Sequence, residues 1–259
     1  MIQAKELIPL FIRDRLRFLK KPRLSLIRFL LRLTAQEKVM QGPFTGMKFC
    51  IPDYNTAMLS GTWEKELWET LDDFLAIDPK RILCIGAAEG YYAVGLGIRF
   101  PNCRIIAFEQ QRKYQIMLGR LSIENDLSNL QLQGKCTPNM LQQTLGANLD
   151  SSIVICDVEG YEIELLDPDN IKSLSKSHIL VELHPMYVEN CEATLLSRFS
   201  QTHEISKIKG RIRTLEDLPA RTVSFLSLLF GKETILSLME EGRPYPMDWL
   251  WMKPKKDAC

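Results

Sequence analysis

Arg81-Ile-Leu-Cys-Ile-Gly-Ala-Ala-Glu-Gly90-Tyr-Tyr, followed by Arg104-Ile-Ile-Ala-Phe-Glu109, is the stretch that decides how this chain folds. An apolar run enters a turn bounded by Gly86 and Gly90. A helical pattern follows, and a second apolar run ends on a carboxylate. Runs such as Ile82-Leu-Cys-Ile and Ile153-Val-Ile-Cys are continuously apolar rather than alternating. That pattern predicts strands buried on both faces, hence an α/β fold with a mostly parallel sheet between helices.

Working outward, strands are expected at 81–85, 103–108, 129–133, 152–156, 178–183 and 203–208, with Asp248-Trp-Leu-Trp-Met252 closing the set. Helices are expected at 90–99, 111–124, 137–145, 160–166 and 188–200. A helical insertion occupies 211–243 and ends at Gly242-Arg-Pro-Tyr-Pro246. Upstream, Thr62-Trp-Glu-Lys-Glu66 reads as a capping box with Thr62 as N-cap of a helix running to about Ala76. Met47 to Ile51 reads as a short β segment after the Gly42–Gly46 turn. Residues 3–38 show helical spacing in two pieces broken near Lys21-Pro22, the second carrying Leu26, Phe29, Leu30 and Leu33. The expected division is a basic helical extension over 1–43 and one catalytic-type domain over 44–259.

The bulk numbers exclude several classes. The chain has 259 residues, 46% hydrophobic and 25% charged, with net charge +1. No global field points to nucleic acid, and no aromatic-interleaved basic sheet is present. Seven cysteines form no CxxC pair, and Cys84, Cys103 and Cys156 sit in apolar runs. They read as small buried hydrophobes of a reducing compartment. No stretch approaches the roughly 20 apolar residues of a membrane span, and arginines break any secretory-type apolar run. The expected location is cytoplasmic.

Ligands of open parallel sheets bind beyond the carboxyl ends of the strands. Gly86, Ala87, Ala88, Glu89 and Gly90 lie at that edge, where side-chain-free backbone lets a ligand approach. The N–H groups opening the next helix suit an anion such as a carboxylate. Glu109, followed by Gln110, is placed to accept hydrogen bonds from both hydroxyls of a ribose. The G-x-x-x-G spacing differs from the G-x-G-x-x-G of dinucleotide folds. It disfavours an NAD(P)-dependent oxidoreductase and favours S-adenosylmethionine.

A second constellation is Asp157-Val-Glu159-Gly160-Tyr161-Glu162, and a third is Glu182-Leu-His184-Pro185. Period-2 geometry places Glu182 and His184 on one face. If the fourth and fifth strands are neighbours, Asp157, Glu159, Glu182 and His184 crowd one edge. Buried polar groups are costly unless used or paired. They can supply a general base, hold a divalent metal, or only cap turns. No ligand spacing is distinctive, so no metal is expected. His178 and His203 have no such context and read as structural.

These residues resemble a known family. Cys84-Ile-Gly-Ala-Ala-Glu-Gly-Tyr-Tyr, Ala107-Phe-Glu, Asp157-Val-Glu-Gly-Tyr-Glu and Glu182-Leu-His-Pro are similar to the successive motifs of FkbM-like class I methyltransferases. Trp63-Glu64 and the closing Trp249-Leu-Trp also resemble that family, and the likeness covers about residues 44–255. It implies a Rossmann-like seven-stranded sheet with a reversed last strand, S-adenosylmethionine as cofactor, and usually O-methylation. Gly86, Ala88 and Gly90 match the cofactor loop, Glu109 the ribose acid and Asp157 the acid after the fourth strand. The chain departs from the pattern at Cys84, where Asp is common, at Glu89, where Asn is common, and at Gln110, where Pro is usual.

The resulting expectation is in-line methyl transfer to an oxygen of a small-molecule, sugar or lipid-linked acceptor, with Asp157, Glu159 or His184 beside it. The rival of another class is a catalytically silent cofactor-binding scaffold. Nine Lys/Arg stand between Arg13 and Lys38 against Asp14 and Glu37. Peripheral membrane contact through residues 1–40 is one expectation for that segment. The other is packing of its apolar face on the core or on a second copy, giving a homodimer.

Overall fold

A computed structural model describes residues 22–49, 56–146, 151–243 and 245–255. The chain divides into two compact units, one of Met1–Lys65 with Ile212–Pro244 and one of Glu66–Arg211 with Tyr245–Cys259.

The second unit is built on a seven-stranded sheet: β1 Arg81–Ile85, β2 Arg104–Phe108, β3 Leu130–Gln133, β4 Ser152–Cys156, β5 His178–Glu182, β6 His203–Ile208 and β7 Trp249–Pro254. Their order across the sheet is β3-β2-β1-β4-β5-β7-β6. Strands β3, β2, β1, β4 and β5 pair in parallel, and β7 runs antiparallel to both β5 and β6. The four apolar residues after Arg81, and all five residues of β4, are buried. This is the reason the central runs carry no polar alternation. Leu83, Ile85, Phe108, Val154 and Val181 share one core cluster with Leu195 and Phe199 of the helix Cys191–Phe199. Phe74, on the helix Trp68–Ile77, packs its ring 5.3 Å from that of Trp251.

Register sets the functional edge. Ile85 pairs with Phe108 and with Cys156, and Cys156 pairs with Val181. The next residue on each strand therefore falls in one row: Glu109, Gly86, Asp157 and Glu182. Strand order reverses between β1 and β4, the switch point at which open α/β sheets bind ligands.

Besides Trp68–Ile77, the α-helices among the described residues of this unit are Tyr91–Arg99, Arg112–Glu124, Pro138–Leu145, Glu162–Leu165 and Cys191–Phe199. Each lies inside its expected span. At Pro138–Leu145 the cause is local: Thr137 Oγ1 accepts from the Met140 N–H at 3.3 Å, and Pro138 occupies the first turn.

Three readings need correction. Thr62 caps no helix there: its hydroxyl lies 2.9 Å from that of Ser60, Glu64 has φ +44°, and the helix starts at Trp68 after a 3₁₀ turn over Lys65–Leu67. Among the described residues a capping box stands at Thr214, whose N–H and hydroxyl both reach the Asp217 carboxylate. The stretch from Met47 gives only a single bridge, Lys48 to Lys38, and its end at 50–51 lies outside the described residues. In the helix Pro22–Ala35 the buried stripe is Ile27, Leu31 and Ala35, while Leu26, Phe29 and Leu33 are exposed. The first basic helical piece lies outside the described residues.

The first unit also contains the helices Thr56–Ser60, Ala220–Ser227 and Lys232–Leu236. Within it, Arg213 donates to the Thr62 carbonyl at 2.8 Å and pairs with Glu241, and Arg243 pairs with buried Glu64. Among the described residues no helix is long and apolar enough to cross a membrane. Cys84, Cys103, Cys136, Cys156 and Cys191 are free and buried, whereas Cys50 and Cys259 lie outside the described residues.

Candidate functional site

The turn after β1 is built around two left-handed glycines. Gly86 has φ +81°, and a Cβ there would overlap the Asp157 carbonyl oxygen. Gly90, at φ +101°, would put a Cβ 2.9 Å from Leu118 Cγ. Glycine is thus required by the protein's own packing at both points, before any ligand is considered. The N–H groups of Gly86 and Ala87 both reach the Phe108 carbonyl at 3.0 Å, which ties the turn to the end of β2.

Ala88 sits at φ +45°, a region that L-residues avoid. That conformation turns its N–H onto Glu109 Oε2 at 2.9 Å. The Gln111 N–H donates to Glu109 Oε1 at 2.6 Å, and Gln115 Nε2 donates to the Glu109 carbonyl at 2.7 Å. Glu109 is buried, so its charge is held by backbone donors in a fixed orientation. Each oxygen keeps a second lone-pair site for a hydroxyl. Gln110 is exposed. Glu89 is half-buried, and burial pushes its carboxyl upward in pKa against the opposing charge of Lys113.

On the other side of β1 the structure brings Asp157, Glu182 and His184 together. His184 is 3% exposed. Its Nε2 lies 3.0 Å from Glu182 Oε2 and 3.5 Å from Asp157 Oδ1. Its Nδ1 lies 2.6 Å from Glu162 Oε1. Burial alone would lower the imidazole pKa, but the hydrogen bonds to Glu162 and Glu182 and the charges of Glu182 and Asp157 outweigh it. The pKa is carried up to about 10. His184 is therefore an imidazolium at neutral pH, donating from both nitrogens. Glu162 would be raised by burial, yet His184 and the Gly160 N–H, 3.1 Å away, bring its pKa below the usual value.

Glu162 is the member of the His184 cluster that was not among the residues singled out from the sequence. Its signal lay in plain view: a carboxylate two residues after Gly160, first in a helix whose remaining residues are mostly apolar. Glu159 stands apart: it is exposed at φ +49° and takes no part in the ion-pair cluster among the described residues. Asp157 is the open member, its side chain 33% exposed, while Glu182 and Glu162 are almost fully enclosed.

Asp157, Glu182 and His184 each offer a ligand atom within 4.8 Å of the others, a set that could take a divalent cation. Without one, the same atoms form a buried imidazolium cage. His178 and His203 lie elsewhere. His203 bonds the Ser177 carbonyl at 2.9 Å, and His178 stacks on Trp251, burial lowering its pKa to about 4.

No protein-family model matches the chain, and no curated protein matches it either. Solved structures do. An rRNA methylase from Streptococcus thermophilus aligns with a TM-score of 0.50 at 8% identity, over 74% of this chain and 98% of its own. A precorrin-6y C5,15-methyltransferase from Geobacter metallireducens gives 0.47 at 14% identity, over 73% and 89%. The O-methyltransferase TomG from Streptomyces achromogenes, solved in complex with SAM, gives 0.45 at 15% identity, over 71% and 77%. The sheet order and the first of these alignments make the fold that of the Rossmann-like class I methyltransferases.

Proposed function

We propose that this chain is an S-adenosylmethionine-dependent methyltransferase acting on an oxygen nucleophile of a small-molecule, sugar or lipid-linked acceptor. The observation that carries the reading is the Glu109 carboxylate, buried at the end of β2 beside the glycine turn and aligned by the N–H groups of Ala88 and Gln111. A fixed carboxylate with two open acceptor positions, beside a turn whose backbone is bare of side chains, fits the cis-diol of a ribose. The residues present therefore suit a nucleoside cofactor. The likeness in fold supports the same class; the chemistry rests on these side chains.

S-adenosylmethionine supplies a methyl group already activated on a sulfonium. The chain's part is to align the acceptor and to take its proton. Asp157 suits the second task, because it borders the glycine turn and is the accessible member of its cluster. His184, its pKa carried up to about 10, suits that task less well than Asp157. Its role is to hold the Asp157 and Glu182 carboxylates in place and to temper their charge, which makes it a positioning residue.

The test is calorimetric titration with S-adenosylmethionine and S-adenosylhomocysteine, followed by transfer of a labelled methyl group to small molecules of a cell extract. Binding together with a labelled product is expected. Absence of binding overturns the reading, and binding without product in any extract assigns the chain to a silent scaffold.

A further inference from the structure

The helix Pro22–Ala35 carries apolar residues on two opposite sides. Ile27, Leu31 and Ala35 form its buried stripe. Leu26, Phe29 and Leu33 form the other, and they are 41%, 56% and 58% exposed. At 3.6 residues per turn, these three fall within about 60° of one another on the circumference, facing away from the buried stripe. Packing within the unit is thus satisfied without them, and burial of this second stripe needs another apolar medium.

The charges flank that stripe. Arg28 and Arg32 lie along one side and Arg23 along the other, and the helix contains no Asp or Glu. Arg23 and Arg28 are exposed; Arg32 is half-buried and bonds Glu37. An apolar stripe bordered on both sides by long cationic side chains matches a helix lying in a lipid interface, with guanidinium groups reaching the headgroups. A second copy meeting the same face would bring like charges together. Nucleic acid would leave the aromatic and aliphatic stripe in water.

We infer that the Leu26–Phe29–Leu33 face of this helix docks on an anionic membrane surface. Its occupant is the headgroup and upper acyl region of a bilayer rich in acidic lipid, whose negative surface attracts the flanking arginines. This inference is independent of the methyltransferase reading.

The experiment is co-sedimentation of the full chain with vesicles of phosphatidylcholine alone and of phosphatidylcholine with 30% phosphatidylglycerol. Binding to the acidic vesicles, weakened by salt, is expected. The double substitution Phe29→Glu and Leu33→Glu should weaken it by about a hundredfold, with the circular dichroism spectrum unchanged. Arg23→Glu with Arg28→Glu should weaken it while leaving the apolar stripe intact. Equal recovery with both vesicle types, or undiminished binding by Phe29→Glu and Leu33→Glu, overturns the inference. So does a dimer in sedimentation equilibrium that those two substitutions dissociate, which would give the face to a second copy.

Discussion

His184 Nδ1 lies 2.6 Å from Oε1 of Glu162, a carboxylate with no exposed surface. This contact decides which way the imidazole ring faces and directs Nε2 toward Glu182 and Asp157. A buried acid thus sets the aim of the group next to the accessible acid of the site and makes the largest single contribution to raising its pKa.

Glu162→Gln should lower the His184 pKa from about 10, because the strongest of the interactions raising it is lost. The cost in stability is about 1–3 kcal/mol, the penalty for weakening a buried charged hydrogen bond. Titration of the His184 ring signals by NMR measures the first and urea unfolding the second. A ring that still titrates near pH 10 would remove Glu162 from this role.

Stability should fall as pH rises above neutrality. The folded pKa of about 10 stands above the unfolded value of about 6.5, so between them the folded chain holds an extra proton. The stabilisation is complete below about pH 6.5 and is lost as pH climbs through the folded pKa. Urea midpoints between about pH 6.5 and 7.5, before the thiols of the unfolded chain titrate near about 8.5, isolate the effect. His184→Gln should flatten that slope.

Two glycine substitutions should act in opposite directions. Gly86→Ala drives a Cβ into the Asp157 carbonyl at a left-handed φ, and should cost more than about 3 kcal/mol. Gly119, inside the helix Arg112–Glu124, has nothing within 4 Å of an added Cβ. Gly119→Ala should stabilise by about 0.5–1 kcal/mol. Thermal unfolding of the two variants side by side checks both signs.

Glu109→Ala should weaken S-adenosylmethionine binding about 10- to 100-fold, the loss of one or two hydrogen bonds to a charged acceptor. Calorimetry is the readout. Unchanged affinity would detach Glu109 from the ribose.

The buried cysteines should be inert. Burial pushes the thiols of Cys84 and Cys136 up to about 12 and that of Cys103 to about 11. Brief iodoacetamide treatment of the folded chain at pH 8 should leave all three unmodified in a peptide map, since only the thiolate reacts. Unfolding in urea should expose them to the reagent.

The strands were legible because burial on both faces leaves a plain mark: Ile82-Leu-Cys-Ile and Ile153-Val-Ile-Cys admit no polar residue. Asp157, Glu182 and His184 were legible as neighbours because polar residues follow buried runs, but the same reasoning wrongly placed exposed Glu159 among them. Glu162 was not legible, since its value comes from a ring that chain folding brings to it from 22 residues away. Thr62 misled because Thr-x-x-Lys-Glu imitates a cap, while Glu64 at positive φ breaks the helix that the cap would start. The stripe of the helix Pro22–Ala35 misled differently: two apolar sides were present, and spacing alone cannot say which one the core takes.

The antiparallel strand β7 has a consequence for the newborn polypeptide. It lies between β5 and β6, two segments made well before it, and these do not pair with each other. Until residues 249–254 have left the ribosome, β5 therefore shows a bare edge and β6 has no strand to join. The Leu183 N–H, one residue before His184, bonds the carbonyl of Asp248 at 2.9 Å. The acid-and-imidazole cage thus gains its last support when that final strand arrives. A product cut short before Asp248 would carry every candidate site residue and still lack the carbonyl that supports the turn into His184.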